Sequence, residues 1–177
     1  MKFWSQADKP LKYGHCVRLS ISNAVQREIS EESAAEALKI LNKRKKKGEK
    51  KIVHGDKKNG DLTNMALVTL CQLENIEIKS KAKRSKRWRK EIFKKVSETR
   101  APFVIIGDVV DSDGNLLEWR HAVATRDGFM LDPDKREPIV LTKELLEKTF
   151  HRIVKAYLLI DQKPIPSSDC LDSTTDR

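Results

Sequence analysis

The sequence predicts an α+β protein, and three observations carry the prediction. Apolar residues recur at helical spacing through the first half, a continuous apolar run begins near residue 102, and an Asp-Gly step at 127–128 joins two strand-like segments. The chain therefore reads as an α-rich first half followed by a β-rich second half.

Within the first half, residues 16–28 carry Val17, Leu19, Ile21, Ala24 and Val25, with Ile29 just beyond, at mixed spacing, as a well-buried helix would. Ser30, followed by Glu31, Glu32 and Ser33, starts a second helix running to about Lys46, with Ala34, Ala37, Leu38 and Leu41 as its apolar stripe. Residues 47–60 hold Gly48, Gly55 and Gly60 and read as a loop. Asp61 caps a third helix through Met65, Ala66, Val68, Leu70 and Leu73, and a fourth spans Trp88 to Glu98. In the second half, PFVIIGDVV (102–110) is a central strand, DSDGN (111–115) a turn, and LLEWRHAVATR (116–126) a second strand. Asp127-Gly128 turns the chain into FMLDP (129–133). A short helix from Thr142 to Phe150 precedes a last strand, RIVKAYLLI (152–160). A disordered tail is expected over 161–177, where Pro164, Pro166, Ser167 and Ser168 fall without periodicity. Residues 1–160 then make a single domain, with no internal repeat.

Composition narrows the function classes. With 177 residues, 38% apolar and 35% charged, the chain has enough apolar content for a core beneath a strongly solvated surface. No apolar run approaches the roughly 20 residues needed to span a bilayer, and MKFWSQADKP lacks the apolar centre of a signal peptide. Cys16, Cys71 and Cys170 form an odd set without CxxC spacing, which argues against disulfides or zinc and for an intracellular, reducing setting in cytoplasm or nucleus. The net charge of +10 is concentrated in 43–58 and 79–95, which hold nine and ten of the 36 Lys and Arg. Such runs keep a protein soluble, and they also suit nucleic acid or an acidic partner, with Trp88 placed to stack on a base.

The chemistry-bearing residues lie in two distant segments, YGHCVRLSISNAV (13–25) and WRHAVATRDGFMLDPD (119–134). Gly14 marks a tight approach just before Cys16, which opens the first helix, where unpaired N–H groups and the macrodipole favour a thiolate. A two-residue turn at 127–128 pairs Arg126 with Phe129, Ala124 with Leu131 and Val123 with Asp132. His121 and Asp132 are then diagonal neighbours, about 7–8 Å apart at the backbone and within reach of a hydrogen bond. Pro133 ends the ladder, so Asp132 is preferred to Asp134 as the partner of His121. Thiol, imidazole and carboxylate are the parts of an activated cysteine nucleophile. Cys71, among Leu67, Val68, Leu70 and Leu73, reads as a core residue, Cys170 as incidental, and His54 and His151 as structural or surface residues.

CxxxSxxNAV, residues 16–25, resembles the catalytic helix of papain-like cysteine peptidases, most nearly the branch that processes bacteriocin leaders at double-glycine sites. HAVATRDGFMLDP (121–133) resembles that branch's histidine strand and Asp-Pro step. The resemblance implies a two-lobed papain-like α+β fold, with a helical lobe bearing the nucleophile and a C-terminal antiparallel sheet. It implies Cys16 as nucleophile, His121 as general base and then acid, and Asp132 as the residue orienting the imidazole, with no metal or organic cofactor. The oxyanion glutamine of the family has one upstream candidate, Gln6, ten residues before Cys16, with Asp8, Lys9 and Pro10 as a bulge restoring the spacing. Val17 stands where the leader-processing branch has glycine, and His15 is similar to the residue preceding the nucleophile in Josephin-type deubiquitinases. The implied substrate is a protein or peptide, such as a viral or mobile-element polyprotein. An isopeptidase acting on ubiquitin-like conjugates, and a non-enzymatic nucleic-acid-binding domain, are the alternatives.

Overall fold

The computed structural model describes residues 1–7, 15–43, 60–81, 91, 94, 96 and 100–162. Helices α1 (His15–Val25), α2 (Glu31–Lys43) and α3 (Gly60–Leu73) come first. Strands β1 (Ile76–Lys81), β2 (Phe103–Val110), β3 (Leu116–Arg126), β4 (Phe129–Leu131) and β5 (Ile139–Val140) follow, then helix α4 (Lys143–Thr149) and strand β6 (Arg152–Asp161). The strands form one six-stranded sheet in the order β1-β6-β2-β3-β4-β5, antiparallel at every junction. The expected mixed α+β class is therefore present.

Local chemistry accounts for the element ends. Gln26, at φ 60°, closes α1 in the left-handed region that stops a helix. Ser30 caps α2 through its Oγ, which accepts from Ser33 N at 3.1 Å, and Glu31 and Glu32 lie in the first turn. Thr142 does the same for α4, accepting from Leu145 N at 3.1 Å. Asp127 (φ 53°) and Gly128 (φ 85°) both adopt positive φ, the conformation of a two-residue hairpin turn matched to strand twist. The register follows as expected, with Arg126 opposite Phe129 and Ala124 opposite Leu131. β4 stops at Leu131, so the expected pairing of Val123 with Asp132 is not a ladder pair.

Strand alternation divides the core into two layers. Val104, Ile106, Ala122, Ala124, Leu131, Tyr157 and Leu159 pack with Ile21, Ala24, Ala37, Leu67 and Leu70 of the three N-terminal helices. Phe103, Ile105, Val123, Met130 and Ala156 pack on the opposite side with Leu146, Phe150 and Val96. Each fully buried side chain of this size contributes about 1.5–3 kcal/mol of transfer free energy. α1 is buried nearly all round, and its serines are satisfied internally. Ser20 Oγ donates to Ala122 O at 2.9 Å, and Ser22 Oγ donates to Arg18 O at 3.1 Å while accepting from Ile29 N at 3.0 Å.

Some expectations change. β1 and β5 were not anticipated: β1 continues into the lysine-rich run, and its partner β6 lies about eighty residues away, while β5 is two residues long. The last strand runs one residue beyond its expected end. Asp161 belongs to β6 and Gln162 N donates to Asn75 O at 3.2 Å, so the expected tail does not begin at 161. Glu91, Lys94 and Val96, within the expected fourth helix, are helical; its remaining residues lie outside the described residues. So do the ends expected at 44–46 for the second helix, most of the loop at 47–60, most of both basic runs, Trp88, His54, Cys170, the bulge at 8–10, Gly14 and the tail from 163. Among the described residues no helix is long and apolar enough to cross a membrane.

Candidate active site

α1 lies along β3 in the same direction. Ser20 bonds Ala122 O, and four residues later Arg126 Nη1 donates to Ala24 O at 2.6 Å. One turn of helix back from Ser20 therefore brings Cys16, the second residue of α1, toward the His121 end of the strand. The Cys16 side chain lies close enough to the His121 ring to help raise its basicity, and both residues are buried, at 9% and 5% exposure.

His121 Nε2 lies 2.7 Å from Asp132 Oδ1, with Asp132 only 4% exposed. Asp132 sits one residue past β4, so its side chain is held by a turn instead of a ladder. Its Oδ1 accepts from Asp134 N at 3.0 Å, and Lys135 N donates to its carbonyl at 3.0 Å. Asp134 also comes near the ring, its Oδ2 lying 3.7 Å from Nδ1. Three of the expected site residues, Cys16, His121 and Asp132, thus meet in one cluster, and the fallback carboxylate borders it.

The electrostatics favour a charged imidazole. Burial opposes the imidazolium, but hydrogen bonds and opposite charge from Asp132 and Cys16 outweigh it, raising His121 from 6.5 to about 10. Burial likewise opposes the Asp132 carboxylate, and the bond to His121 overcomes this, holding Asp132 below the ordinary carboxylate range. Cys71 shows the opposite balance. It is fully buried, and desolvation pushes its thiol up to about 12, as befits an inert core residue.

Gln6 arrives from the N-terminal segment. Its backbone N donates to Pro133 O at 2.8 Å, and its Nε2 donates to Asp134 Oδ1 at 2.6 Å. The amide therefore stands at the acid turn, and its second N–H remains a donor for other use. The side chain of His15 is outside the described residues; Val17 is buried and His151 is exposed.

Sequence reasoning missed two residues that wall the imidazole. Phe150, which ends α4, lies with its ring centroid 6.4 Å from that of His121. It can do so because Gly107, directly opposite His121 in the ladder, has no side chain. A Cβ there would stand 2.3 Å from Phe150 Cδ1 and 2.8 Å from Arg152 O. The available signal was the lone glycine inside an apolar central strand, which marks a close approach. Asp134 was seen only as a substitute for Asp132, and its contact with Gln6 was not foreseen.

His121, Asp132 and Asp134 present donor atoms within 4.8 Å of one another, the geometry from which a metal site is built. The 2.7 Å separation of Nε2 and Oδ1 is that of a hydrogen bond. Two ligands about 2.0–2.1 Å from a tetrahedral zinc ion stand about 3.3 Å apart, so this pair as arranged holds a proton. A cleft of about 350 Å³ opens elsewhere, at the α3–β1 junction beside Gln72, Asn75, Glu77 and Gln162, and no member of the cluster lines it. Comparison with protein-family models, with curated proteins and with solved structures finds no match to the chain.

Proposed function

We propose that the chain is a papain-like cysteine peptidase whose nucleophile is Cys16. The observation that supports this reading most directly is the buried His121–Asp132 hydrogen bond with buried Cys16 beside the imidazole, from segments more than a hundred residues apart. The chain order of thiol, imidazole and acid, and the seating of the nucleophile in the first turn of a buried helix against an antiparallel sheet, agree with it. The finer two-lobed assignment belongs to the same proposal, with α1–α3 as the helical lobe and the sheet as the second.

In this mechanism the Cys16 thiolate attacks the carbonyl carbon of a peptide or isopeptide bond. The new C–S bond forms as the carbonyl π electrons move to oxygen, where the backbone N–H of Cys16 and an amide donor hold the oxyanion. The His121 imidazolium protonates the departing amine as the C–N bond breaks. The neutral ring then takes a proton from water, which attacks the thioester and releases the acid and the thiolate. Asp132 on Nε2 fixes the ring orientation throughout and stabilises its charge.

Mass spectrometry after incubation with an electrophilic peptide probe, and in parallel with a ubiquitin-like probe carrying a C-terminal electrophile, tests the reading. A covalent adduct on Cys16 is expected, and the probe that forms it reports the substrate class. Modification of Cys71 or Cys170 with Cys16 untouched would refute the assignment.

A further inference from the structure

Residues 1–7 form a strap with two anchored ends. At one end, Asn23 of α1, fully buried, pairs with both polar groups of the Trp4 backbone: Trp4 N donates to Oδ1 at 2.8 Å, and Nδ2 donates to Trp4 O at 3.0 Å. One turn later, Gln26 treats Lys2 the same way, accepting from its N at 2.9 Å and donating to its O at 3.0 Å. Lys2 and Trp4 are two residues apart and Asn23 and Gln26 three apart, so a helix face offers amides in the spacing of an extended neighbour. At the other end, the strap is fastened to the acid turn. Ser5 Oγ donates to Pro133 O at 3.1 Å and also bonds Lys135 O, and Gln6 N donates to Pro133 O at 2.8 Å.

This architecture delivers one side chain to the site. Gln6 Nε2 holds one oxygen of Asp134 at 2.6 Å, and the other oxygen of Asp134 is 3.7 Å from His121 Nδ1. Asp132 occupies Nε2, and in the proposed mechanism Nδ1 is the nitrogen that would exchange a proton with the thiol. A carboxylate beside that nitrogen stabilises the imidazolium of the ion pair. The groups facing Asp134 are the Gln6 amide, the His121 ring, the Asp132 carboxylate that accepts its backbone N–H, and the neighbouring Lys135.

We propose that Gln6 is a positioning residue, which acts through Asp134 on the His121 imidazole and is carried there by the strap of residues 1–7. This deepens the peptidase reading and rests on it. The role differs from oxyanion donation, and alkylation of Cys16 by iodoacetamide separates the two. The thiolate displaces iodide at a saturated carbon, so no oxyanion forms and an oxyanion donor has nothing to stabilise.

The test follows the alkylation rate of Cys16 from about pH 5 to about pH 11 by peptide mapping, a range that brackets the raised titration of His121 as well as that of an ordinary imidazole. Full-length wild-type protein is compared with Gln6→Ala and Gln6→Glu, with thermal melting measured on each. For Gln6→Ala the expected result is a profile whose imidazolium limb is displaced toward lower pH by about one unit, about a tenfold change in that proton equilibrium. Gln6→Glu keeps the shape of the side chain. It places a second carboxyl beside Asp134, and its profile should depart from that of wild type. Profiles for both variants that superimpose on wild type would overturn the inference, whether peptide turnover falls (an oxyanion role) or only the melting temperature falls (a structural role). A wild-type Cys16 no more reactive than an ordinary thiol at neutral pH would instead bring down the peptidase reading on which the inference rests.

Discussion

Two carboxylates border one imidazole, and their geometry makes them unequal. Asp132 is buried and bonded to Nε2, whereas Asp134 is about one third exposed and stands beyond hydrogen-bond distance of Nδ1. Asp132→Asn should therefore lower kcat by about 10²- to 10⁴-fold, the range expected when an acid–base histidine loses its orienting anion. Asp134→Asn should cost less, and steady-state kinetics of the two variants reversed in order would mean that the acid turn is misread. Cysteine specificity is equally sharp. Cys16→Ala should abolish turnover and probe labelling, while Cys71→Ala, which removes a fully buried thiol held near 12, should leave labelling of Cys16 intact. Intact-mass spectra of the labelled variants decide this directly. The hairpin made His121 and Asp132 legible in sequence, because an Asp-Gly turn sets register and side chains alternate across a strand. Gly107 carried a signal of close approach, but its partner Phe150 and Asp134's bond to Gln6 were not legible, since each depends on a packing partner more than forty residues away in the chain.

At the scale of elements, the site is held by three junctions. α1 is fixed to β3 by Ser20 and Arg126, β4 ends in the acid turn, and α4 drops Phe150 across β2 at Gly107. The last junction yields a prediction. Gly107→Ala places a methyl group against both Phe150 and Arg152 O, and neither the aromatic ring nor the backbone can yield at little cost. Overpacking of this kind costs about 1–3 kcal/mol, so thermal melting should fall by several degrees, with a loss of activity as Phe150 shifts against His121. An unchanged melting temperature and unchanged turnover would show that this wall is not needed. β1 illustrates why some elements escaped notice. Ile76 and Ile78 alternate with Glu77 and Lys79, but six residues running into a basic stretch carry little periodic signal until β6 supplies the facing ladder.

For the whole molecule, buried charge sets the response to pH. His121 has a folded pKa of about 10 against 6.5 for the free side chain, so its imidazolium contributes stability fully below about pH 6.5 and loses it as pH rises through about 10. Asp132 and Asp108 behave in the opposite sense. Burial opposes both carboxylates, but His121 for the first, and Arg120 and Arg152 for the second, hold them below 3.8. Their contribution is present above that value and disappears as pH falls beneath it. Denaturant midpoints should therefore be highest between about pH 4 and about pH 6.5, declining on both sides. A midpoint that stays level up to about pH 10 would contradict the charged imidazole. Arg27 adds a second anchor, joining the end of α1 to Glu74 after α3 and to Asp161 at the end of β6. Its guanidinium pKa is raised, because the two carboxylates overcome the opposing effect of burial.

Local chemistry was enough to identify the first three helices, the strands from 103 to 131, the hairpin turn and the three residues whose types match a thiol nucleophile and its partners. Those features depend on periodicity, capping and turn geometry, which act over a few residues. Tertiary structure decided what local signals do not encode: that β6 lies between β1 and β2, that Phe150 sits over Gly107, and that the N-terminal strap reaches the acid turn. Each of these is a contact between distant segments, formed because burial and hydrogen bonding select one packing among many with the same local propensities.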